Sequence, residues 1–300
     1  MYGLGELRLF LRAAETGNLS LAARQLDLTP AAASAGIKRL EQDLSVRLFE
    51  RSTRSIRLTA EGELFREYAG RALSTLADGE AQVRTGKCAL QGDIHLSAPT
   101  DLSRQLLSLW LDDFHRTYPQ VRIFVHSSDG LHDLWRDGID LAIRYGLLQD
   151  STLVARRLCE VEQVLCAAPD YIRDREKPVV PEDLTAHNCL TIFNRGRQTS
   201  NWTFYSDGCP VTVKVRGDRS SDDSSLVHHW ALNGAGILYK ARIDLQHDID
   251  QGRLVTLLPD YQGSRVPLNA IYTDTQYLPL RVRALVDFLV DRFHQYMARA

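Results

Sequence analysis

The sequence predicts an α/β protein with an all-α-type N-terminal region, and three observations predict it. Residues 1–91 carry apolar side chains at helical spacing with one short interruption. One helical rhythm then runs unbroken from Ala60 to about Leu90, and from Gly92 onward strand-like and helix-like runs alternate. The 300 residues, 44% hydrophobic and 25% charged, supply enough apolar side chains for two or three cores.

In "LGELRLFLRAAETG" the residues Leu4, Leu7, Phe10, Leu11 and Ala14 form one helical face, and Gly17 stops the run. "NLSLAARQLDL" gives a second short helix, capped by Asn18 or Ser20. The third, "TPAAASAGIKRLE", has Thr29 as N-cap and Pro30 as first helical residue, where a missing N–H costs nothing. At 100° per residue Ala33, Ile37, Leu40 and Leu44 share a face, which leaves Ala31, Ser34, Ala35, Lys38 and Gln42 on the opposite one. An alanine-rich face of this kind is either core packing or a surface built for close approach.

"VRLFERSTRSIRLT" fits a β-hairpin whose centre, "RSTRSIR", holds three arginines and no acid. Those arginines are either a solvated surface or phosphate contacts. Thr59 caps the long helix, with Glu61 and Glu63 in its positive first turn. Phe65, Ala69, Ala72, Leu76, Gly79 and Val83 alternate spacings of four and three, as in a helix that pairs with another, although Gly79 weakens the seam. Thirty residues at ~1.5 Å each span about 45 Å, more than a small domain buries, which points to a second chain as cover. Two short helices, a third with a small outward face ending in Lys38, and an arginine hairpin together make a winged helix-turn-helix.

Beyond Gly92, "DIHLSAP", "VRIFVHSS" and "IDLAIRYG" read as strands around the helices "TDLSRQLLSLWLDDFHRTYP" and "LHDLWRDG". A second set runs from "QVLCAAPDYI" to "GRLVTLLPDY", and "VPLNAIYTD" adds a strand before a closing helix from Pro279 to about Met297. Such alternation implies largely parallel strands.

The stretch "GNLSLAARQLDLTPAAASAGIKRLEQDLSVRLFERSTRSIRLTAEGE" resembles the N-terminal signature of the LysR-type transcriptional regulators, and "DLAIRYG", "SLVHHWALNGAGILY", "DIDQGRLVTLLPDY" and "LRVRALVDFLVDRF" extend the resemblance to the C-terminus. The resemblance implies a winged helix-turn-helix over 1–59, a dimerisation helix over 60–91, and an effector domain over 92–300 with two lobes, like a periplasmic binding protein. Lobe I is placed at 92–162 and 268–300 and lobe II at 163–267, with crossings near Val161 to Val164 and Val266 to Ala270. It further implies that the third helix enters the major groove of double-stranded DNA, the helix-turn-helix proper running from Leu19 to Lys38. Thr29, Ala32, Ser34, Ile37, Lys38, Leu40 and Glu41 match the family run. Ser34 and Lys38 inherit backbone-contact roles, as do Arg51 and Arg54 in the wing, and the expected interface comprises Thr29, Pro30, Ala31, Ser34, Ala35, Lys38, Arg51 and Arg54. Where many members have Gln and then Pro at the helix start and a large polar pair after the serine, this chain has Pro30, Ala31, Ala35 and Gly36. Few base-edge hydrogen bonds are available from so bare a helix, so phosphate clamping, the wing and DNA shape are expected to carry more of the recognition.

Ligands in such sheets sit at strand C-termini, where helix N-termini present free N–H groups. Ser97, Pro99 and Thr100 follow the first strand, Ser127 and Ser128 the second and Tyr145 the third; Phe193, Asn194 and Ser221 come from the other lobe. Each alone reads more readily as an ordinary cap or loop residue, and convergence on one cleft is what favours a site. Together they suggest a small organic anion as effector. The long helix points to a homodimer, the resemblance implies a homotetramer as the larger assembly, and RNA polymerase is a further expected partner.

Several chemistries find no support. "GAG" at Gly234 to Gly236 follows a helix, the reverse of a dinucleotide loop, and reads as a turn. His228 and His229 point about 100° apart on a helix, which disfavours a shared metal. Asp222 and Asp223 read as helix caps rather than a catalytic pair. No G-x-S-x-G or H-E-x-x-H occurs, and neither enzyme activity, cofactor nor metal is expected. Five scattered cysteines without a CxxC read as reduced thiols. The net charge of −2 divides as about +2 over residues 1–91 and −4 over 92–300, a weak nucleic-acid signal. No run nears the ~20 apolar residues of a membrane span and the N-terminus lacks a signal-peptide pattern, so a cytoplasmic location is expected. A solute-binding protein or enzyme on the bilobal domain, or a DNA-binding protein without ligand control, is the alternative.

Overall fold

The computed structural model describes residues 2–51, 56–85, 90–130, 138–146, 153–194, 197–273 and 278–299. The chain divides into two compact units, Met1–Leu90 and Gln91–Ala300.

In the first unit, helices α1 (Leu4–Thr16), α2 (Leu19–Gln25) and α3 (Pro30–Leu44) enclose a core of Leu9, Phe10, Ala13, Ala22, Ala23, Ala33, Ile37 and Leu40. Of the two caps the sequence allows for α2, Asn18 serves, its side chain accepting from Leu21 N–H at 3.0 Å. Thr29 Oγ1 accepts from Ala32 N–H at 3.2 Å and Pro30 opens α3. The structure separates Gly36 from Ala35. Ala35 is exposed, whereas Gly36 is buried, and a Cβ there would stand 3.1 Å from Leu9 Cδ2, so this departure serves the close approach of α3 to α1 rather than the outward face.

The hairpin forms between Phe49–Arg51 and Ile56–Leu58, with Glu50 opposite Arg57. Its base is fixed by Glu41, whose Oε1 accepts from Leu48 N–H at 2.8 Å and Phe49 N–H at 3.1 Å. Helix α4 (Ala60–Thr85) starts at the cap Thr59, with Gly62 N–H donating to its Oγ1 at 2.9 Å; residues 86–89 of the expected helix lie outside the described residues. Of the expected seam, Phe65 and Ala69 pack into this unit's own core, Phe65 against Phe10 with ring centroids 5.3 Å apart, while Ala72, Leu76 and Gly79 are exposed. The short domain core takes one face of the first helical turns, while Leu64, Tyr68 and Leu76 remain exposed along the helix.

Gly62 sits where α4 passes the hairpin base: a Cβ there would lie 2.1 Å from the Leu48 carbonyl oxygen. That is backbone, which no rotamer change can move aside. Gly62→Ala is therefore expected to destabilise the protein by about 1–3 kcal/mol despite its gain in helix propensity; urea unfolding checks this.

Among the described residues the second unit is built on a ten-stranded sheet. On one side Gly92–Ala98 pairs in parallel with Val121–Ser127 and with Leu141–Tyr145. On the other Ile237–Ala241 pairs in parallel with Cys189–Asn194, which pairs in parallel with Ser220–Ser221. The two halves are joined by the long strand Leu153–Ala167 and by Arg265–Thr273, which run antiparallel to each other with Val266 opposite Val161. The expected parallel arrangement holds within each half and gives way to antiparallel pairing at the crossings, because a strand that enters one half and a strand that returns from the other must run in opposite directions. A separate antiparallel sheet of Asn201–Ser206, Cys209–Lys214 and Gln262–Gly263 packs Trp202 and Phe204 near Tyr239.

A helix follows the first strand, continuous through Thr100–Leu102, a π-helical turn at Ser103–Leu107, and Ser108–Thr117. Helix Ser224–Leu232 follows the lobe II strand Ser220–Ser221, and Leu280–Met297 closes the chain. The expected helix at "LHDLWRDG" lies, but for its last residue, outside the described residues. Cys159, Cys166 and Cys189 are free and buried, Cys209 free and exposed. Burial pushes the Cys166 and Cys189 thiols up to about 12, so neither is a reactive thiolate.

Candidate functional site

The outward face of α3 is built by its own periodicity. Ala33, Gly36, Ile37 and Leu40 turn inward, leaving Thr29, Pro30, Ala31, Ala35 and Lys38 exposed and Ser34 half-buried. Arg39, next to Lys38, is tied to Glu6 of α1 at 2.8 Å. Small side chains followed by a cation make a surface that a polyanion can approach closely. Of the expected wing arginines, Arg51 ends the first hairpin strand, while Arg54 lies outside the described residues.

The expected effector residues of lobe I gather at the C-terminal ends of its three parallel strands. Ser97 is fully buried, and its Oγ accepts from Arg144 Nη2 at 2.6 Å. Pro99 occupies the N-cap of the following helix and offers no side-chain acceptor, and Thr100 N–H donates to Asp129 Oδ1 at 3.2 Å. Ser128 accepts from Gly130 N–H at 3.1 Å, while Ser127 is exposed at its strand's end. Tyr145 donates its hydroxyl proton to Asp244 Oδ1 at 2.8 Å. In lobe II, Ser221 is buried and accepts from Asp223 N–H at 3.0 Å; Asp223 caps Ser224–Leu232 by accepting from Ser225 and Leu226 N–H. Ser224 N–H donates to Asp129 Oδ2 at 2.8 Å, which links this cap to Thr100. Phe193 and Asn194 end the strand Cys189–Asn194; Phe193 is half-buried.

Between the halves lies a buried ionic cluster that the sequence reading does not contain. Lys240, in the strand Ile237–Ala241, pairs with Asp101, lies 3.5 Å from Asp244, and donates to Ser224 Oγ at 2.9 Å. His228 faces Asp101 with Nδ1 at 3.5 Å and Asp248 with Nε2 at 3.0 Å, and Arg253 pairs with Asp248 at 2.6 Å. His228 is thus buried among carboxylates, whereas its neighbour His229 is exposed. Burial works to raise the Asp101 carboxyl, but the His228 hydrogen bond and the Lys240 charge hold it at about 2. Burial works to lower the Lys240 ammonium, yet Asp244 and Asp101 together keep it above its ordinary value. Burial raises the Asp244 carboxyl and the Tyr145 hydroxyl, and lowers the Arg144 guanidinium to about 10. The one signal available in sequence was a lysine inside the apolar run "GILYKA". Among the described residues no group of three or more His, Cys, Asp or Glu is arranged to hold a metal ion.

Comparison with known proteins accords with this architecture. A family model described as "Bacterial regulatory helix-turn-helix protein, lysR family" matches residues 4–63, and one described as "LysR substrate binding domain" matches residues 89–294. The HTH-type transcriptional regulator DmlR of Escherichia coli K12 is 32% identical over 295 residues, covering 98% of this chain and 95% of DmlR. The structure of CrgA, a LysR-type transcriptional regulator from Neisseria meningitidis, is similar with a TM-score of 0.63 at 31% identity, over 96% of this chain and 98% of CrgA. The full-length structure of the Vibrio cholerae virulence activator AphB gives 0.60 at 26% identity, over 97% and 99%. With both family domains in order along one chain, this protein belongs to the LysR-type transcriptional regulators, which join a DNA-binding helix-turn-helix to an effector-binding domain.

Proposed function

We propose that this regulator binds a roughly two-fold operator in a sequence-specific way and is controlled by a small organic anion held between the lobes of its C-terminal unit. The carrying observation is that two helix N-termini, at Thr100 and at Ser224, converge on a single carboxylate group beyond the ends of the parallel strands. Ser97, Pro99, Thr100, Ser128 and Tyr145 line one side of this position and Ser221 the other, with Ser127, Phe193 and Asn194 as more distant contributors. In α3, Thr29, Pro30, Ala31, Ser34, Ala35 and Lys38 face the groove, and Arg51 and Arg54 of the wing reach the backbone. The exposed strip of Ala72, Leu76 and Gly79 on α4 supports a homodimer, and higher assembly to a tetramer follows the family pattern.

Effector binding biases lobe closure, and the dimer converts that bias into the spacing or angle of its DNA-binding heads. Its role is regulatory, with RNA polymerase as a downstream partner and the cytoplasm as its compartment; among the described residues no helix is long and apolar enough to cross a membrane.

Thermal-shift screening of small mono- and dicarboxylic acids on the full chain tests the effector. A stabilising acid is expected, and Thr100→Pro, which removes one N–H at a position where proline suits a helix, is expected to weaken it about tenfold or more. A full acid screen without a stabiliser, or undiminished affinity in the variant, overturns the assignment.

A further inference from the structure

We infer that Asp129 is a built-in carboxylate ligand: it occupies the anion seat between the lobes, so that the chain closes upon itself and an external acid binds only by displacing it. The second half of this statement rests on the effector reading above.

The seat is unusual in being filled by the chain itself. Thr100 and Ser224 are the first helical residues of two helices that belong to opposite halves of the sheet, and first-turn N–H groups have no partner within their own helix. Pro99 cannot cap the lobe I helix with a side chain. Asp223 caps its helix through Ser225 and Leu226, leaving Ser224 N–H over. The two oxygens of Asp129 divide between these N–H groups, at 3.2 and 2.8 Å. Both helix dipoles favour a negative charge at this point. This is the arrangement an external carboxylate bridging the lobes would adopt.

The loop that delivers Asp129 is itself held. Ser128 N–H donates to Ala98 O at 2.9 Å, and Gly130 N–H closes a turn on Ser128 Oγ. Beneath it, the buried guanidinium of Arg144 donates to Gly130 O at 3.0 Å and to Ser97 Oγ. Ser97 and Ser128 thereby act as supports for the internal ligand rather than as free donors. Other contacts bridge the same gap without any small molecule: Tyr145 to Asp244, Arg104 to Ser225 at 2.7 Å, and Lys240 to Asp101. A ligand that must first displace Asp129 binds with an apparent affinity reduced by the fraction of time the seat stands open; a seat open one time in ten weakens binding about tenfold.

Chemical rescue in the full-length protein tests the inference. Asp129→Ala removes the carboxylate and leaves both N–H groups unpaired, so its melting temperature falls below that of the wild type. Sodium acetate, compared with sodium chloride at equal ionic strength, is expected to raise the melting temperature of the variant and leave the wild type unmoved. Asp129→Asn serves where the alanine variant fails to fold. Its amide offers one acceptor to two donors, so acetate should again stabilise the variant alone.

Equal acetate shifts in wild type and variants, or none in any of them, overturn the inference. The effector reading is separable. Acetate rescue alongside an acid screen that finds no stabiliser of the wild type upholds the self-occupied seat and removes the effector. An acid that binds wild type and Asp129→Ala with equal affinity does the reverse.

Discussion

Replacing Lys240 by methionine is expected to lower the unfolding free energy by about 3–5 kcal/mol, the usual cost of leaving buried carboxylates without their cation. The lysine side chain is only 7% exposed and lies among Asp101, Asp244 and Ser224. Methionine fills similar volume, so the loss reports charge rather than a cavity. The Lys240 ammonium is raised by its partners and its stabilisation is fully present at neutral pH, being lost only above its ordinary value of 10.5. Asp101, held near 2 against an ordinary 3.8, contributes above about pH 4 and loses its contribution as pH falls toward 2. The Asp101 part of the difference between wild type and Lys240→Met should accordingly shrink between about pH 4 and pH 2, while Asp244, raised by burial, begins to lose its charge above its ordinary 3.8. Urea unfolding at pH 7 checks the magnitude. Adding Asp101→Asn to Lys240→Met should recover part of the loss, since it removes a stranded charge. A single-variant loss below about 1 kcal/mol would mean that water reaches the cluster and screens it.

Ser34→Glu is expected to abolish specific operator binding, with a loss of about 100-fold or more, while leaving the fold intact. Ser34 stands between exposed Ala31, Ala35 and Lys38 on the face opposite Ala33, Ile37 and Leu40. A longer anionic side chain there meets phosphates both sterically and as a like charge, which costs several kcal/mol. Gel-shift titration with the DNA upstream of the chain's own coding region reads the effect, and an undiminished shift removes α3 from the interface. Because Ala31 and Ala35 offer base edges only methyl contacts, single base changes beneath α3 should each cost less than the ~1–3 kcal/mol of a good bidentate pair. Recognition then falls more heavily on Lys38, the wing and DNA shape, and affinity should drop steeply with added salt.

Much of the first unit was legible because its signals are local. A cap, a proline at the first helical position and a 3.6-residue repeat fix where α3 begins and which face it buries, without reference to the rest of the chain. The roles of Gly36, Glu41 and Gly62 were not legible. Each answers to a group far along the chain: Leu9, the Leu48 and Phe49 amides, and the Leu48 carbonyl. A single glycine whose Cβ would lie 2.1 Å from a distant carbonyl oxygen leaves no periodic trace in the sequence.

In the second unit, the alternation of strands and helices specified an α/β sheet, and Ser97, Thr100 and Tyr145 lie at or just beyond its strand ends. What fills that region could not be read. Asp101, Asp129, Asp244 and Asp248 look like any surface charges until the crossing strands bring two halves of the sheet together, and Lys240 alone stands out by its apolar run. Sequence by itself determined the order of elements, the outward face of α3 and the family, because periodicity, caps and motifs are properties of neighbouring residues. Tertiary structure alone decided that a carboxylate from one lobe satisfies the helix N-terminus of the other, and that a lysine in an apolar strand meets its counter-charges. Electrostatic partnership acts through space across more than ninety residues of chain, from Asp129 to Ser224, and no local pattern encodes it.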